Sequence, residues 1–294
     1  MNEPANGHGS EPVTLSLGGT TVAWYDDGGA LEPSLAPRPH LHPVCTLAGT
    51  PVTDACPADH RWHLGVSVAV QDVDGNNFWG GRTYVRDHGY QRLDDHGRVI
   101  RGAWLEHTAD HLEERLDWVG RDGSVLLAEH RTLRASAVPV PGAWRLDLTF
   151  TLRNVAGRPV ELGSPATNGR DRAGYGGFFW RLPAHDGSLD VFTADASGED
   201  AVHGTVSGWI AATAADPGGR EWSVVVEHGD EPSAWDPWFV RVAGYPGVGA
   251  SLAWSTPVSL GTGHELRRSF RAVIVDARAV DISQVELWLR RARL

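Results

Sequence analysis

The sequence predicts an all-β protein: a large antiparallel β-sandwich of two sheets, with a short helix at the C-terminus. The first sign is a period of two over residues 144–154, where apolar side chains alternate with polar ones. The second is the recurrence of short β-rich runs at intervals of about ten residues. The third is a high content of turn-forming residues, 35 Gly and 18 Pro among 294. About fifteen or more strands of this kind exceed an immunoglobulin-sized sandwich.

The chain is expected to begin with a disordered tail, residues 1–11, and to continue as a single domain, residues 12–294. Residues 13–17 and 21–25 are rich in β-forming side chains and flank a Gly-Gly pair, which predicts an opening hairpin. Residues 38–44 contain two prolines that exclude a helix, so this segment is expected to be extended.

Further strands are separated by turn signals, of which the Asp-Gly pairs at 74–75 and 122–123 are the clearest. Ten runs are predicted as strands in addition to residues 144–154: 64–70, 104–107, 112–118, 125–133, 189–192, 204–210, 222–227, 238–243, 250–254 and 266–275. Nothing in the composition divides these runs into two domains.

Only the C-terminus has a helical pattern. Asp281 with Gln284 three residues later resembles a capping box. An apolar stripe follows at Ile282, Val285, Trp288 and Leu289. We expect this helix to cover an end or an edge of a sheet.

Charge and composition exclude several classes of function. The formal charge is −11, from 26 basic and 37 acidic residues, which disfavours nucleic acid and anionic membrane partners. No apolar run is long enough to span a membrane. Residues 2–11 lack the basic and apolar regions of a secretory signal, and Cys45 and Cys56 form no disulfide-rich pattern. A cytoplasmic location with two reduced cysteines is therefore expected.

Residues 38–81 are the richest in groups that could carry chemistry. His60 and His63 are predicted as catalytic acid/base residues because histidine titrates nearest to neutral pH, with Asp59 placed to orient one of them. Glu106 and Asp236 are the predicted partner carboxylates. The sequence also leaves a role for His60 and His63 in a metal site open.

His40 and His42 lie two apart on the extended segment, so their side chains share one face. They are predicted either to clamp a substrate or to bind a single divalent metal ion. A metal site would need a third ligand from another strand, for which Glu106 and Glu129 are the candidates.

Thirteen tryptophans are present, and most are expected in the core. A few beside polar turns, Trp62, Trp79, Trp180 and Trp238, could instead form the flat walls on which a sugar ring lies. The predicted substrate-binding residues are Arg38, His40, His42, Trp79, Tyr84, Trp180, Arg181, Trp238 and Arg241. The Gly-rich segments 174–177 and 244–249 are interpreted as turns, because neither begins a helix as a nucleotide loop does.

Several of these motifs together resemble a known family. They are Arg38-Pro39-His40-Leu41-His42-Pro43-Val44, Asp59-His60 with His63 and Gly65, Asp74-Gly75-Asn76-Asn77-Phe78-Trp79, Gly174-Tyr175-Gly176-Gly177-Phe178 with Arg181, and Pro237-Trp238-Phe239-Val240-Arg241 with Tyr245-Pro246-Gly247. On these residues, residues 35–275 resemble the bacterial methane oxygenase PmoA-like family. A membrane copper monooxygenase subunit needs transmembrane helices, which this sequence does not predict.

The resemblance implies a fold similar to the large supersandwich of galactose mutarotases. It also implies a small-molecule carbohydrate as partner, with a sugar oxidoreductase in the same pathway. The family often reads Asp-His-Pro-His-His-Arg-Gly where this chain has Arg61, Trp62 and Leu64 in place of Pro, the middle His and Arg. His60 and His63 keep the family pattern.

The leading hypothesis is thus a protein that acts on a sugar or keto-sugar by histidine acid/base chemistry: epimerisation, ring opening or β-elimination. Such an enzyme would be an isomerase or a carbon–oxygen lyase. A non-catalytic sugar-binding module and a cupin-like enzyme with a metal at His40 and His42 are the alternatives.

Overall fold

The computed structural model describes residues 13–185 and 189–294, and the predicted tail, residues 1–11, lies outside them. The strands are β1 (Thr14–Leu17), β2 (Thr20–Asp26), β3 (His40–Val44), β4 (Val66–Val70), β5 (Asp72–Val73), β6 (Thr83–Val85), β7 (Gly89–Gln91), β8 (Arg98–His107), β9 (His111–Val119), β10 (Val125–Ala137), β11 (Ala143–Asn154), β12 (Val160–Gly163), β13 (Gly176–Arg181), β14 (Asp190–Phe192), β15 (Trp209–Ala215), β16 (Glu221–His228), β17 (Trp238–Arg241), β18 (Gly247–Ser251), β19 (Val258–Leu260) and β20 (Glu265–Val275). The helices are α1 (Glu199–Val202) and α2 (Ile282–Ala292), with 3₁₀ turns at Pro33–Leu35 and Pro232–Trp235.

Two large antiparallel sheets form the two layers of the molecule. The seven-stranded sheet has the order β1-β2-β3-β4-β13-β18-β17, and the eight-stranded sheet has the order β14-β15-β16-β20-β11-β10-β9-β8. A three-stranded sheet, β19-β12-β5, and the hairpin β6-β7 lie beside them. The predicted all-β sandwich is confirmed.

The strand β11 shows why the sequence predicts this architecture. Its residues Trp144, Leu146, Leu148 and Phe150 are buried in the core between the sheets, and the side chains between them point to the outer face. Two apolar faces pressed together remove these side chains from water, which is the main stabilising contribution in such a fold.

A buried polar network crosses the core from one sheet to the other. Tyr25 on β2 donates a hydrogen bond to Glu114 on β9, at 2.5 Å. Glu129 on β10 accepts from Trp118 Nε1 at 2.7 Å and from Arg131 at 2.6 and 3.0 Å. Both oxygens of Glu129 are therefore occupied, and this residue does not serve as the third metal ligand considered for His40 and His42.

The central strands of the seven-stranded sheet, β4, β13 and β18, are buried on both faces. All six residues of β13 are buried, and successive side chains alternate between two clusters. Phe178 and Trp180 pack into the core between the sheets, whereas Phe179 joins a separate cluster on the outer face, with Trp79, Tyr175 and Phe239. A strand covered on both sides has no polar alternation, so its sequence does not reveal which face is which.

The helix α2 covers the outer face of the eight-stranded sheet rather than one of its edges. Its buried residues Val285, Trp288 and Leu289 pack with Val225 and Val273 of the sheet. The predicted cap is present: Asp281 accepts a hydrogen bond from the Gln284 amide at 2.8 Å, and Gln284 Oε1 accepts one from the Val280 amide at 2.9 Å.

One local expectation needs correction. Residues 204–210 are not a single strand: α1 precedes them, the chain turns at Gly204 with a φ of 88°, and β15 begins only at Trp209. The helical turn α1 itself has too few residues to produce a helical period. In the described part of the chain, neither helix has the length and apolar character that crossing a bilayer would require.

Candidate functional site

A cavity of about 750 Å³ opens on the outer face of the seven-stranded sheet. Its walls come from residues 58–63, residues 79–82, the hairpin β6-β7 with the residues after it, and the loops that carry Arg170, Tyr175 and Tyr245. This volume lies within the range of small-molecule sites.

The floor of the cavity follows from strand register. Phe179 on β13 pairs with Gly249 on β18, and Gly249 pairs with Phe239 on β17. Gly249 has no side chain, so no bulky residue stands between the two phenylalanines. Phe239 lines the cavity, whereas Phe179 is buried in the aromatic cluster next to it. Tyr175 lies next to Phe239, with ring centroids 5.5 Å apart, and 4.6 Å from Trp79.

A tight turn at residues 77–81 places Trp79 and makes room for Trp62. Asn77 Oδ1 accepts hydrogen bonds from the amides of Trp79 and Gly80, at 2.9 and 2.8 Å. Gly81 has a φ of 73°, and a Cβ atom there would lie 2.6 Å from the Trp62 indole. Glycine is thus required for Trp62 to lie flat on this turn.

Arg38 lies beneath the cavity and holds the segments that form its walls through hydrogen bonds to their carbonyl groups. Its guanidinium is fully buried and donates to the carbonyl oxygens of Trp62 at 2.9 Å, Trp79 at 3.0 Å and Ala36 at 3.1 Å. Burial lowers the pKa of Arg38 to about 9, so it remains a cation at neutral pH. Arg38 lies below the cavity and does not line it.

His60 and Asp59 form a hydrogen-bonded pair at the cavity wall. His60 Nδ1 lies 2.9 Å from Asp59 Oδ2, and this hydrogen bond lowers the pKa of Asp59. With Nδ1–H donating to the carboxylate, Nε2 of the neutral imidazole is the proton acceptor. Within the described residues Nε2 has no hydrogen-bond partner, so it is available to a ligand.

His63 lies deeper, enclosed by aromatic rings. Its side chain is 2% exposed, and its ring centroid is 4.9 Å from that of His60 and 5.2 Å from those of Phe179 and Tyr245. Burial, aided by the charge of Arg181, holds the pKa of His63 well below its usual range. His63 is therefore a neutral imidazole, and its Nδ1 has no partner among the described residues.

The structure places the other predicted histidines away from the cavity lining. His40 Nδ1 bonds the Arg38 carbonyl at 3.1 Å, and His42 Nδ1 bonds Thr53 Oγ1 at 3.0 Å. Both share the outer face of β3, as their spacing predicts. Burial lowers the pKa of His40 to about 4 and also lowers that of His42.

Potential metal ligands gather elsewhere. Among residues 13–185 and 189–294, the group whose ligand atoms lie within 4.8 Å of one another is Glu106, His111 and Glu113, on β8 and β9 of the eight-stranded sheet. His40 and His42 belong to no such group. Glu106 is thus remote from His60 and His63.

The remaining predicted residues occupy structural positions. Trp180 and Trp238 are fully buried in the core, where their Nε1 atoms bond the carbonyls of Val52 and Ser207 at 2.8 and 2.9 Å. Asp236 accepts two hydrogen bonds from Arg268, at 2.6 and 2.9 Å, and burial raises its pKa to about 6. None of these three side chains lines the cavity.

Three further predicted substrate-binding residues surround the cavity without lining it. Tyr84 packs edge-on against Tyr90, Arg181 is buried 3.7 Å from Asp54, and Arg241 lies over the Phe239 ring at 4.9 Å. Of the residues that the sequence predicts for a site, the cavity is lined by Asp59, His60, Trp62, His63 and Trp79.

Several lining residues were not predicted, namely Tyr90, Tyr175, Tyr245, Phe239, Arg82, Arg92 and Arg170. Two of them lie in the Gly-rich segments 174–177 and 244–249, where a single tyrosine stands among glycines and a proline. The interpretation of these segments as turns is only partly right, because β13 begins at Gly176 and β18 at Gly247. A large aromatic residue among glycines just before a strand is a signal that could have identified Tyr175 and Tyr245.

The fold and the site define a large β-sandwich protein with an aromatic, histidine-bearing cavity on one sheet. The chain belongs to DUF6807, a family of unknown function, whose model matches residues 12–288. The assignment to the methane oxygenase PmoA-like family is therefore wrong. No curated protein matches the sequence.

Several solved structures are similar in fold. A candidate aldose 1-epimerase from Escherichia coli K12 is 12% identical, with a TM-score of 0.47 over 90% of this chain and 98% of that chain. A galactose mutarotase related enzyme from Lactobacillus acidophilus is 9% identical, with a TM-score of 0.46 over 92% of this chain and 100% of that chain. An α-galactosidase from Geobacillus stearothermophilus, in complex with raffinose, is 12% identical, with a TM-score of 0.40 over 96% and 43% of the two chains.

Proposed function

We propose that this protein acts on a sugar or keto-sugar by proton transfer, with His60 as the catalytic acid/base. The observation that carries the proposal is the Asp59–His60 pair in the wall of a cavity of about 750 Å³ lined by aromatic rings. The reaction class is epimerisation, ring opening or β-elimination, each of which begins with removal of a proton from a sugar hydroxyl or carbon.

The aromatic walls favour a ring-shaped ligand with apolar faces and polar edges. Trp62, Trp79 and Tyr245 line the same cavity as His60, and the Tyr245 ring centroid is 4.4 Å from that of His60. The C–H face of a pyranose gains favourable contact on such surfaces, while its hydroxyls need hydrogen-bond partners at the edge. The imidazoles of His60 and His63 supply such partners.

His60 and His63 have different environments, so we assign them different roles. His60 can accept a proton at Nε2 while Asp59 stabilises the resulting imidazolium. His63 is held neutral by burial, so it can bond a substrate hydroxyl or carbonyl without changing its charge. A nearby imidazolium at His60 disfavours protonation of His63 further.

The same geometry separates catalysis from simple binding. A sugar-binding module needs the aromatic walls but not a histidine whose Nδ1 is fixed by a carboxylate. The Asp59 contact therefore favours an enzyme over the non-catalytic alternative.

The test is proton exchange followed by NMR in D₂O, with a panel of aldoses and their 3-keto derivatives incubated with the protein. We expect accelerated anomer interconversion, deuterium incorporation or elimination for at least one member. In His60→Gln the rate should fall about 100-fold or more, as expected for loss of a general base. The matched control is His130→Gln, because His130 Nε2 also pairs with a carboxylate, Glu113, at 2.7 Å, but on the other sheet.

Two outcomes would contradict the proposal. One is full activity in His60→Gln, which would place the chemistry elsewhere. The other is calorimetric binding of a sugar without any exchange or turnover across the panel, which would make the protein a binding module.

A further inference from the structure

Arginines line one side of the cavity in excess over carboxylates, although the protein as a whole carries a formal charge of −11. Four arginines and two carboxylates line it. Glu32 lies 3.7 Å from Arg61, and Asp59 is bonded to His60. Both carboxylates are thus already engaged, which leaves Arg82, Arg92 and Arg170; these three residues are called the arginine rim below.

Strand register brings two of the rim arginines together. In the hairpin β6-β7, Thr83 pairs with Gln91. Arg82 and Arg92 directly precede and follow these residues, so they occupy the next opposed positions at the open end of the hairpin. Like charges placed opposite each other on neighbouring strands repel, and a bound anion would relieve this repulsion.

Arg170 reaches the same cavity from the loop before β13. Its guanidinium lies over the Tyr90 ring at 4.8 Å and donates a hydrogen bond to the Tyr90 hydroxyl. Burial raises the pKa of Tyr90 and, more strongly, that of Tyr175, whose hydroxyl lies 3.1 Å from that of Tyr90. Both phenols are therefore neutral and do not balance the charge of Arg170.

No carboxylate within the described ranges forms an ion pair with any of the three rim arginines. Several arginines elsewhere in the described chain are paired with carboxylates, among them Arg131 with Glu129, Arg268 with Asp236, and Arg293 with Glu227. The guanidinium fork is suited to bidentate bonding of carboxylate and phosphate oxygens. The rim thus has unmatched capacity for one anionic group beside a cavity large enough for a sugar.

We infer that the ligand of this cavity is an anionic sugar, whose carboxylate or phosphate group is bound at Arg82, Arg92 and Arg170 while its ring lies against the aromatic walls. The inference rests on the proposed function for the sugar ring and adds the charged substituent. The shared chemistry is a planar or tetrahedral oxyanion attached to a pyranose.

The test is isothermal titration calorimetry with sugars that differ only in charge: D-glucose, D-glucuronate and D-glucose 6-phosphate, and the same series for D-galactose. We expect at least one anionic sugar to bind about tenfold or more tightly than its neutral parent. Whether the uronate or the phosphate binds tells which oxyanion the rim recognises. The preference should weaken when NaCl is raised from about 50 to about 500 mM, because the rim is open to solvent.

Charge removal tests the assignment to the rim. Arg92→Gln and Arg170→Gln should each reduce the affinity for the anionic sugar about tenfold and reduce the affinity for the neutral parent by much less. Arg92→Lys should retain most of the preference. The control is Arg134→Gln, an exposed arginine on β10 of the other sheet.

The two proposals fail differently. If a neutral sugar binds as tightly as its anionic partner and the rim variants bind both like the wild type, the anionic ligand is refuted while the carbohydrate function stands. If no sugar of either charge binds, both proposals are refuted.

Discussion

The outer faces of the two sheets carry similar chemical groups in opposite settings. On the eight-stranded sheet His130 lies 2.7 Å from Glu113, and its side chain is 48% exposed. In the loop that covers the seven-stranded sheet, His60 lies 2.9 Å from Asp59, with its side chain 26% exposed beside His63, Trp62 and Tyr245. A histidine–carboxylate pair alone therefore does not define a candidate site; the enclosure by loops and aromatic rings distinguishes the His60 pair from the His130 pair.

The difference arises from what covers each face. Strands β8–β11 expose their outer side chains to water, as their alternating pattern predicts. The outer face of β13 and its neighbours is covered by the loops that bear Trp62, Trp79 and Tyr175. Water screens charges on the first face, whereas burial lowers the pKa of histidines on the second.

The largest expected difference between the faces is in stability. Phe179 is 1% exposed on the covered face, so Phe179→Ala should lower the free energy of unfolding by about 3–5 kcal/mol through lost burial and a cavity. Thr151→Ala, on the outer face of β11 opposite His130, should change it by less than about 0.5 kcal/mol. Urea unfolding measures the free energy of unfolding of both variants. Equal losses would mean that the loops leave Phe179 exposed to water.

The next comparison concerns the two carboxylates. Asp59→Asn removes the group that orients and stabilises the His60 imidazolium, so the proton-exchange rate should fall about 10- to 100-fold. Glu113→Gln breaks the equivalent contact to His130 and should leave the rate unchanged. A loss of the same size in both variants would show that the rate depends on something the two faces share.

The pH dependence of stability should depend on the buried histidines of the seven-stranded sheet, such as His40. His40 has a pKa of about 4 in the folded state because it is buried, whereas its unfolded value is about 6.5. Above pH 6.5 it is neutral in both states. Between pH 6.5 and 4 the unfolded chain binds a proton that the folded chain does not, so stability should fall by about 1.4 kcal/mol per pH unit from this residue.

His40→Asn can keep the hydrogen bond to the Arg38 carbonyl without a titrating ring. Denaturant unfolding at about pH 7.5 and pH 5 should therefore show a smaller acid loss in this variant than in the wild type. His130→Gln, on the exposed face, is the control. An unchanged acid loss in His40→Asn would contradict the buried, neutral state of His40.

The smallest expected effect concerns the helix that covers part of the eight-stranded sheet. Asp281→Ala removes the side chain that accepts from the Gln284 amide, and it should cost about 1 kcal/mol of stability. Asp281→Asn keeps an acceptor and should cost less. Thermal unfolding of the two variants gives the ranking, and equal losses would mean that the charge rather than the hydrogen bond matters.

Much of the fold could be predicted because it is encoded by local pattern. Three features involve only residues that are close in sequence: the alternation in β11, the hairpin β1-β2 and the cap of α2. The hydrophobic period and the capping residues of such local features can be recognised in the sequence itself. The site was predicted only in part. His60, His63 and Trp79 come from one dense stretch, whereas Trp180 and Trp238, which have the same residue type and similar neighbours, are core residues.

The sequence by itself determined the secondary structure class, the two-sheet sandwich and the segment that carries the histidines. The tertiary structure alone decided which histidines share a cavity. It also decided that Arg170, Tyr175 and Tyr245 join them from positions more than 100 residues further along the chain. The physical reason is that a strand buried on both faces has lost its polar alternation. The loops that fold over the sheet then determine which face bears the candidate site. Contacts between these loops and the sheet produce no periodic pattern of apolar residues in the sequence.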